Sequence, residues 1–337
     1  MLPHEKAQDG MFYRAHLPRP YLQLGASIAK IAMTALFAAA APACMTTGQD
    51  TEASRRIDAP LLAPLGTAAC EGEDADTTSA REAIARVRAM AGLPPLRCDA
   101  AAVHAASLHC EYIAVNHVLT HVQEVGKPAF SGVTFMDRLA AQSFSEQPSG
   151  EVLATETGAD AIDDTRGLLN SVYHRAPFLR GDNTSFGYGH NLGCATIDFG
   201  RTSASVASGQ PVIWPPDGAR NVPTSFRADR ESPSPMPGAT LVGSPVMLIA
   251  GGPLAELAAK LEGPSGALEA VVITAASDTT GHVREGEAHL VPRAVLLPNT
   301  IYTATFTATF APDGVHPRAR AIGERVVFTT TFTTGSN

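Results

Sequence analysis

Apolar positions along the 337-residue chain follow three different spacings in turn. Ile31 to Ala41 is an unbroken apolar run. From Ser79 the spacing becomes helical. Ser79-x-x-Glu82 has the form of a capping box, Ala83, Ile84, Val87 and Met90 recur on one face, and Gly92, Pro94 and Pro95 end the element. Asp99 caps a second predicted helix over 99–116, with Ala102, Ala106, His109 and Ile113 on its apolar face. A third is predicted over 160–175, with Ile162, Leu169 and Tyr173 on one side, and residues 187–199 have the character of turn and strand. The first module is therefore mixed α and β.

After Trp214 the spacing drops to two. Pro215-Pro-Asp-Gly218 and Pro233-Ser-Pro-Met-Pro-Gly238 are turn chemistry, and strands are predicted at 245–249, 270–274, 301–310 and 326–332. In the 301–310 run Tyr302, Ala304, Phe306, Ala308 and Phe310 alternate with threonines. Leu254, Leu257 and Leu261 have helical spacing instead, which leaves the type of that segment open. Short alternating strands over 215–337 predict an all-β, immunoglobulin-like sandwich.

The run at 31–41 is too short to span a bilayer, which takes ~20 residues, but it has the length of a signal-peptide core. Arg14, Arg19 and Lys30 precede it, and a start at Met11 would shorten the long leading region. Ala41-Pro-Ala-Cys44 offers a small-residue cleavage site and a degenerate lipobox. The expectation is a signal peptide over 1–43 and an exported chain, either secreted or anchored to the cell envelope through an acylated Cys44. A buried core helix is the competing reading of the run. Residues 44–78, small, polar and acidic, are expected to be a flexible tether.

Cysteine usage fits export, because Cys70, Cys98, Cys110 and Cys194 leave an even set that two disulfides would consume. A helix over 99–116 holds Cys98 and Cys110 ~18 Å apart, beyond the ~4.4–6.8 Å that a bridge allows. Cys70–Cys98 with Cys110–Cys194, or Cys70–Cys110 with Cys98–Cys194, remain. No C-x-x-C spacing suggests a zinc cluster. A hydrophobic content of 45% with 17% charged residues fits a globular chain, and 29 Gly with 25 Pro fit one rich in turns. The net charge of −8 argues against nucleic acid as partner.

One ordered set of motifs carries a family signal. It runs from Arg86-x-x-Ala-Met-Ala-Gly-Leu-Pro-Pro-Leu through His109-x-x-Tyr112-x-x-x-Asn116-x-x-x-x-His121 and Phe130-Ser-Gly to Asp137-Arg138. Gly150-Glu151, Asn170-Ser-x-x-His174-Arg and Gly187-Tyr-Gly189 follow. Over about residues 80–200 the chain resembles the CAP superfamily (cysteine-rich secretory proteins, antigen 5, pathogenesis-related proteins) in its bacterial SCP-like branch. The resemblance implies a CAP domain over 79–214 built as an α-β-α sandwich, with a shallow cleft lined by two histidines and two glutamates. By position His121 and His174 are the histidines and Glu151 the first glutamate. The second glutamate falls near Ser171 and is missing, and Val152 replaces the usual Asn after Gly-Glu. Residues 215–337 resemble bacterial Ig-like domains of envelope proteins, which act as spacers or binding modules.

Independently of family, two neutral imidazoles and a carboxylate can hold a divalent metal such as zinc, or do acid–base work. Loss of one acid or base removes half of a two-group mechanism. The favoured role is therefore ligand binding or a structural role at the cell surface, with a cell-surface or lipid ligand and with the membrane as a partner if Cys44 is acylated. Metal-dependent hydrolysis or proteolysis by His121, His174 and Glu151 is one alternative, and lipid or sterol carriage by the CAP domain is another. His109 is expected to be a core histidine. His117 and His121 are a poor chelating pair, because the helix ends near Asn116, and Ser171 with His174 is a weak nucleophile–base pair. Asp163-Asp164 is expected at a solvated helix start, and Lys127 and Arg138 as surface or structural residues.

Overall fold

The computed structural model describes residues 11–14, 57–155, 161–191, 193–202, 210–310 and 323–336. The apolar run at 31–41 and Cys44 lie outside the described residues.

The first module begins well before Ser79. Leu62 and Ala63 donate their amides to Ala89 O, Asp58 bridges Arg220, and Cys70 is joined to Cys98. The C-terminal half of the expected tether is thus tied down by backbone bonds and a disulfide. Helix α1 (Ala75–Met90) is capped by Asp74, whose side chain accepts from Thr77 N. The Ser79/Glu82 box is not used. Ser79 lies one turn inside and bonds back to Ala75 O, because an aspartate upstream offers a stronger charge-assisted cap. Strand β2 (Arg97–Cys98) leads to α2 (Ala100–Asn116), capped by Asp99 as expected and closed by His117 in the left-handed region at φ 53°.

Then follow α3 (Phe135–Ala141), β3 (Gln147–Thr155), α4 (Ala161–Leu169), α5 (Arg175–Leu179), β4 (Ser185–Asn191) and β5 (Cys194–Arg201). The single helix expected over 160–175 is broken at 170–174. The amides of Val172, Tyr173 and His174 go to the Glu231 carboxylate instead of to helical carbonyls. Together with β1 (Met11–Arg14) and β9 (Glu231–Ser232), the strands form one sheet in the order β2-β4-β5-β3-β1-β9. Period-two alternation in β3 divides its faces. Val152 and Ala154 join the core with α1, α4 and α5, whereas Leu153 joins α2 residues on the other side. The module is therefore a three-layer α-β-α sandwich. The Cys110–Cys194 disulfide ties α2 to β5, so of the two pairings left open by sequence the first is the one formed.

Gly187 and Gly189 have a packing reason. A Cβ at Gly187 would lie 2.1 Å from the backbone of Ala102, and one at Gly189 would lie 2.2 Å from Ser107 N. Helix α2 rests directly on the backbone of β4, a contact only glycine permits. Gly187→Ala is expected to cost about 2–3 kcal/mol by overpacking, read as a lower urea midpoint at unchanged m.

The second module holds β6 (Val212–Trp214), β7 (Ala219–Val222), β8 (Ser225–Arg227), β10 (Leu241–Gly243), β11 (Val246–Ile249), β12 (Leu254–Gly263), β13 (Gly266–Leu268), β14 (Ala270–Thr274), β15 (Glu287–Pro292), β16 (Ile301–Phe310) and β17 (Val326–Thr334). Sheets β14-β15-β11-β6 and β13-β12-β16-β17-β7 pack their inner faces together, with Leu248 and Leu290 from one meeting Phe306 and Phe328 from the other. This part is all-β. Strand β6 pairs with β11 in the first of these sheets, while Val212 and Trp214 pack into the core of the first module. The ambiguous leucines lie in β12. A register shift between Leu254 and Glu256 turns an apparent helical spacing into one strand face, with Leu254, Leu257, Ala259 and Leu261 all at the sandwich core.

The modules share a buried seam. Arg180 pairs bidentately with Glu287 at 2.7 and 3.0 Å, Arg175 donates to Pro245 O, and Asn170 bonds Ser225 O and Ser244 Oγ. Val172 and Tyr173 pack among Phe226, Val242 and Val291.

Candidate functional site

Glu151 lies on β3, on the face toward α2 and α3, and is 5% exposed. His121, in the loop after α2, donates from Nδ1 to Glu151 Oε1 at 2.5 Å. Arg138 of α3 donates to Glu151 Oε2 at 2.5 Å and to His121 O at 3.1 Å. Of the two expectations for Arg138, surface or structural, the second holds: it is fully buried, because it neutralises a carboxylate carried into the interior by β3. The capping box of α3, Thr134 with Asp137, sets the register that aims it.

His109 is core, as expected, but it is also part of this cluster. Its Nε2 donates to Thr120 O at 2.9 Å, its Nδ1 accepts from Gln123 at 2.9 Å, and Nε2 stands 3.8 Å from Glu151 Oε1. One nitrogen donating and one accepting is a neutral imidazole. Burial pushes its pKa down to about 3, outweighing the pull of the Glu151 charge.

Sequence reasoning missed Asp198. It lies directly across from Glu151 in the β3–β5 pairing and is fully buried. Neither of its oxygens meets a protein donor. Burial first, and then the Glu151 charge, push its pKa well above the usual carboxylate range. Two adjacent buried carboxyls cannot both ionise, so Asp198 holds the proton and Glu151 the charge. Burial also pushes Glu151 up, but Arg138, His109 and His121 outweigh it and hold Glu151 below the usual range. The signal available in the sequence was the alternation of Thr196 and Asp198 along a strand otherwise apolar and buried.

His174 lies elsewhere. Fully buried at the start of α5, it shares its Nδ1 with Glu231 Oε1 at 2.8 Å, and Glu231 also accepts from the amides of Val172, Tyr173 and His174. Pairing sets Glu231 level with Tyr13 and Ala154, on the α4/α5 face, whereas Glu151 shares the α2/α3 face with Leu153. Strand alternation thus separates the two imidazole–carboxylate pairs. His121 and Glu151 come together, and His174 takes a carboxylate from β9 that no spacing in the first module could reveal. Ser171 is buried and donates to Leu168 O, closing α4. Asp163 is exposed beside Arg166, but Asp164 is buried and accepts from Tyr188 Oη at 3.0 Å, so only half of that acidic pair is a solvated helix start.

These donors do not fit zinc. His121 and His174 lie with their own carboxylates on opposite faces of the sheet, so they do not converge on one ion. Among the described residues the one group of three potential ligand atoms within 4.8 Å is Cys70, Glu73 and Cys98, whose sulfurs are joined to each other. In place of the expected shallow, open cleft there are buried imidazole–carboxylate and guanidinium–carboxylate pairs, with Asp198 left without a donor.

A groove lies on the opposite side of the first module. Residues 57–67 cross α1 and, with α1, α4 and Trp214, enclose about 630 Å³. Leu65, Val87, Met90, Ile162, Leu169 and Trp214 form its apolar wall, and Arg81, Arg86 and Arg166 reach it as well, each already paired with a carboxylate (Glu73, Asp58 and Asp163), beside Glu82. Arg86 pairs with Asp58 at 3.3 Å through one terminal nitrogen, while its Nε has no hydrogen-bond partner. None of the described helices is long and apolar enough to cross a membrane.

Residues 81–200, about a third of the chain, match the family model of the cysteine-rich secretory protein family, CAP. The first module thus contains a CAP domain, as its motifs suggested. No curated protein matches the chain. Among solved structures it is similar to an extracellular protein containing a SCP domain from Bacillus anthracis str. Ames, with 25% identity and a TM-score of 0.34. That likeness covers 38% of this chain and 40% of the Bacillus protein, so the chain matches about two-fifths of that protein's length.

Proposed function

We propose that this CAP-containing chain is an exported envelope protein that binds an apolar-tailed, anionic ligand, and that it is not an enzyme. The groove under residues 57–67 carries the reading. Its volume of about 630 Å³ falls in the range of small-molecule sites, ~300–1,000 Å³, and its apolar wall with nearby arginines suits a fatty acid or similar lipid. Two disulfides support an oxidising compartment. Anchoring through Cys44 would hold the protein at a membrane, the source of such a ligand, and the all-β module is read as an immunoglobulin-like companion. Hydrolysis by His121, His174 and Glu151 has less support, because His121 is 6% exposed and His174 fully buried.

The chain's single tryptophan, Trp214, lines the groove and reports on it. Titration with a brominated long-chain fatty acid is expected to quench its fluorescence saturably at one site. Ala83→Phe, which fills the groove, and Arg86→Ala, which removes the cation, should each weaken binding at least tenfold. Absence of quenching below the micelle concentration would overturn the reading.

A further inference from the structure

Between β3 and β9 the sheet contains a four-residue strand from far away in sequence. Met11–Arg14 runs parallel to β3, with Met11 opposite Val152 and Arg14 opposite Thr155, and antiparallel to β9, with Phe12 opposite Ser232 and Tyr13 opposite Glu231. Its neighbours come from distant parts of the chain. β3 carries Glu151 and β9 carries Glu231, so the strand lies between the elements bearing the two buried carboxylate–imidazole pairs. β3 and β9 are not paired with each other, and the sheet is continuous there only through this strand.

Both neighbours are independently fixed. The other edge of β3 is paired to β5 along nearly its whole length. β9 is held by the four hydrogen bonds Glu231 accepts from residues 172–174. The interval therefore has rigid walls that present backbone donors and acceptors on both sides. A strand received between two such edges satisfies backbone groups on both of its sides, the physical basis of recognition by strand addition. Unpaired edges are otherwise a liability for a sheet. Met11–Arg14 also lies within the segment that the proposed export would remove by cleavage before Cys44.

We infer that the interval between β3 and β9 is a strand-addition site for an extended polypeptide, filled here by the chain's own Met11–Arg14 and opened when that segment is released. The ligand class is an unfolded peptide stretch of about four residues, ~13 Å long, lying parallel to β3. Recognition rests mainly on its backbone. In the cleaved, exported chain the interval is open, and its occupant is an extended segment of another polypeptide. Release of the leader rests on the export reading above, whereas the site itself does not.

The test uses the full chain with a specific protease site inserted between residues 45 and 55, cut after folding. A fluorescein-labelled peptide of residues 9–16 is then followed by anisotropy, with thermal melts and Trp214 emission as checks on the fold. Cut protein is expected to exchange its own fragment for the labelled peptide, and uncut protein to bind it at least tenfold more weakly. A peptide N-methylated at the Phe12 and Tyr13 amides loses one backbone donor to each side and should bind at least tenfold more weakly than its parent. Equal binding of the N-methylated peptide would overturn the proposal. So would a fragment that stays in place and never exchanges, which makes Met11–Arg14 a permanent strand. So would folded, fragment-free protein that takes up no peptide. The N-terminal mass of the native protein tests export separately, so the two readings fail distinguishably.

Discussion

Arg138→Ala is expected to destabilise the protein by about 3–5 kcal/mol, the usual cost of stripping a buried carboxylate of its cation. The guanidinium holds Glu151 at 2.5 Å and also caps His121 O and Gly132 O. Its loss leaves Glu151 facing a second carboxyl, that of Asp198, across the β3–β5 ladder. Arg138→Lys keeps the charge but loses the forked geometry, and should fall between wild type and Ala. Adding Glu151→Leu to Arg138→Leu should restore part of the loss, because the cost is that of an unpaired charge more than of a lost attraction. Urea unfolding of the oxidised protein measures all four, and a loss under about 1 kcal/mol for Arg138→Ala would show that the cluster is solvated and not buried as described.

Acid should unfold the protein in a window set by groups that must stay neutral. His109, at about 3, and His289, lowered to about 4 by burial and then by Arg175, lie below the ordinary histidine value of 6.5. On unfolding below pH 6.5 each binds a proton that the folded state refuses, so their contribution to stability is lost as pH falls toward 4. His282, lowered by burial, acts in the same sense. Asp198 acts in the opposite sense. Its folded pKa is raised, so its contribution is present below the unfolded value and is lost as pH rises through the folded one. Near pH 5 the two histidines take up nearly two protons on unfolding and Asp198 returns up to one, so the net uptake is about one proton, or about 1.4 kcal/mol of stability lost per pH unit. Asp198→Asn removes the opposing group while keeping a donor toward Glu151, and should steepen that slope to about 2.7 kcal/mol per unit. Chemical denaturation at several pH values gives both slopes. A flat wild-type profile, or no change of slope in the variant, contradicts the proton assignments.

Local patterns were legible in the sequence where local physics decides. The cap at Asp99, the stop after Met90, the alternating run at 301–310 and the impossibility of a Cys98–Cys110 bridge all follow from spacing within one element. The glycines of Gly187-Tyr-Gly189 were visible as a motif, and the α-β-α layering came from resemblance. What spacing could not supply was partners from other elements. Asp74 won the cap of α1 over Ser79, and β12 looked helical because a bulge shifts Leu254 onto the face of Leu257.

The candidate site shows the same division. Glu151 and His121 were legible, but Arg138 and Asp198 joined them only because α3 and β5 pack against β3. His174 went to Glu231, a residue of β9 57 positions away, which breaks the helix expected through residue 175 by taking its amides. Sequence determined which residues could carry charge and which segments could be helix or strand, since those depend on neighbours within a turn or a pleat. Tertiary structure alone decided which charges are buried and with whom, because a buried ion is stable only where a distant element delivers its counter-charge.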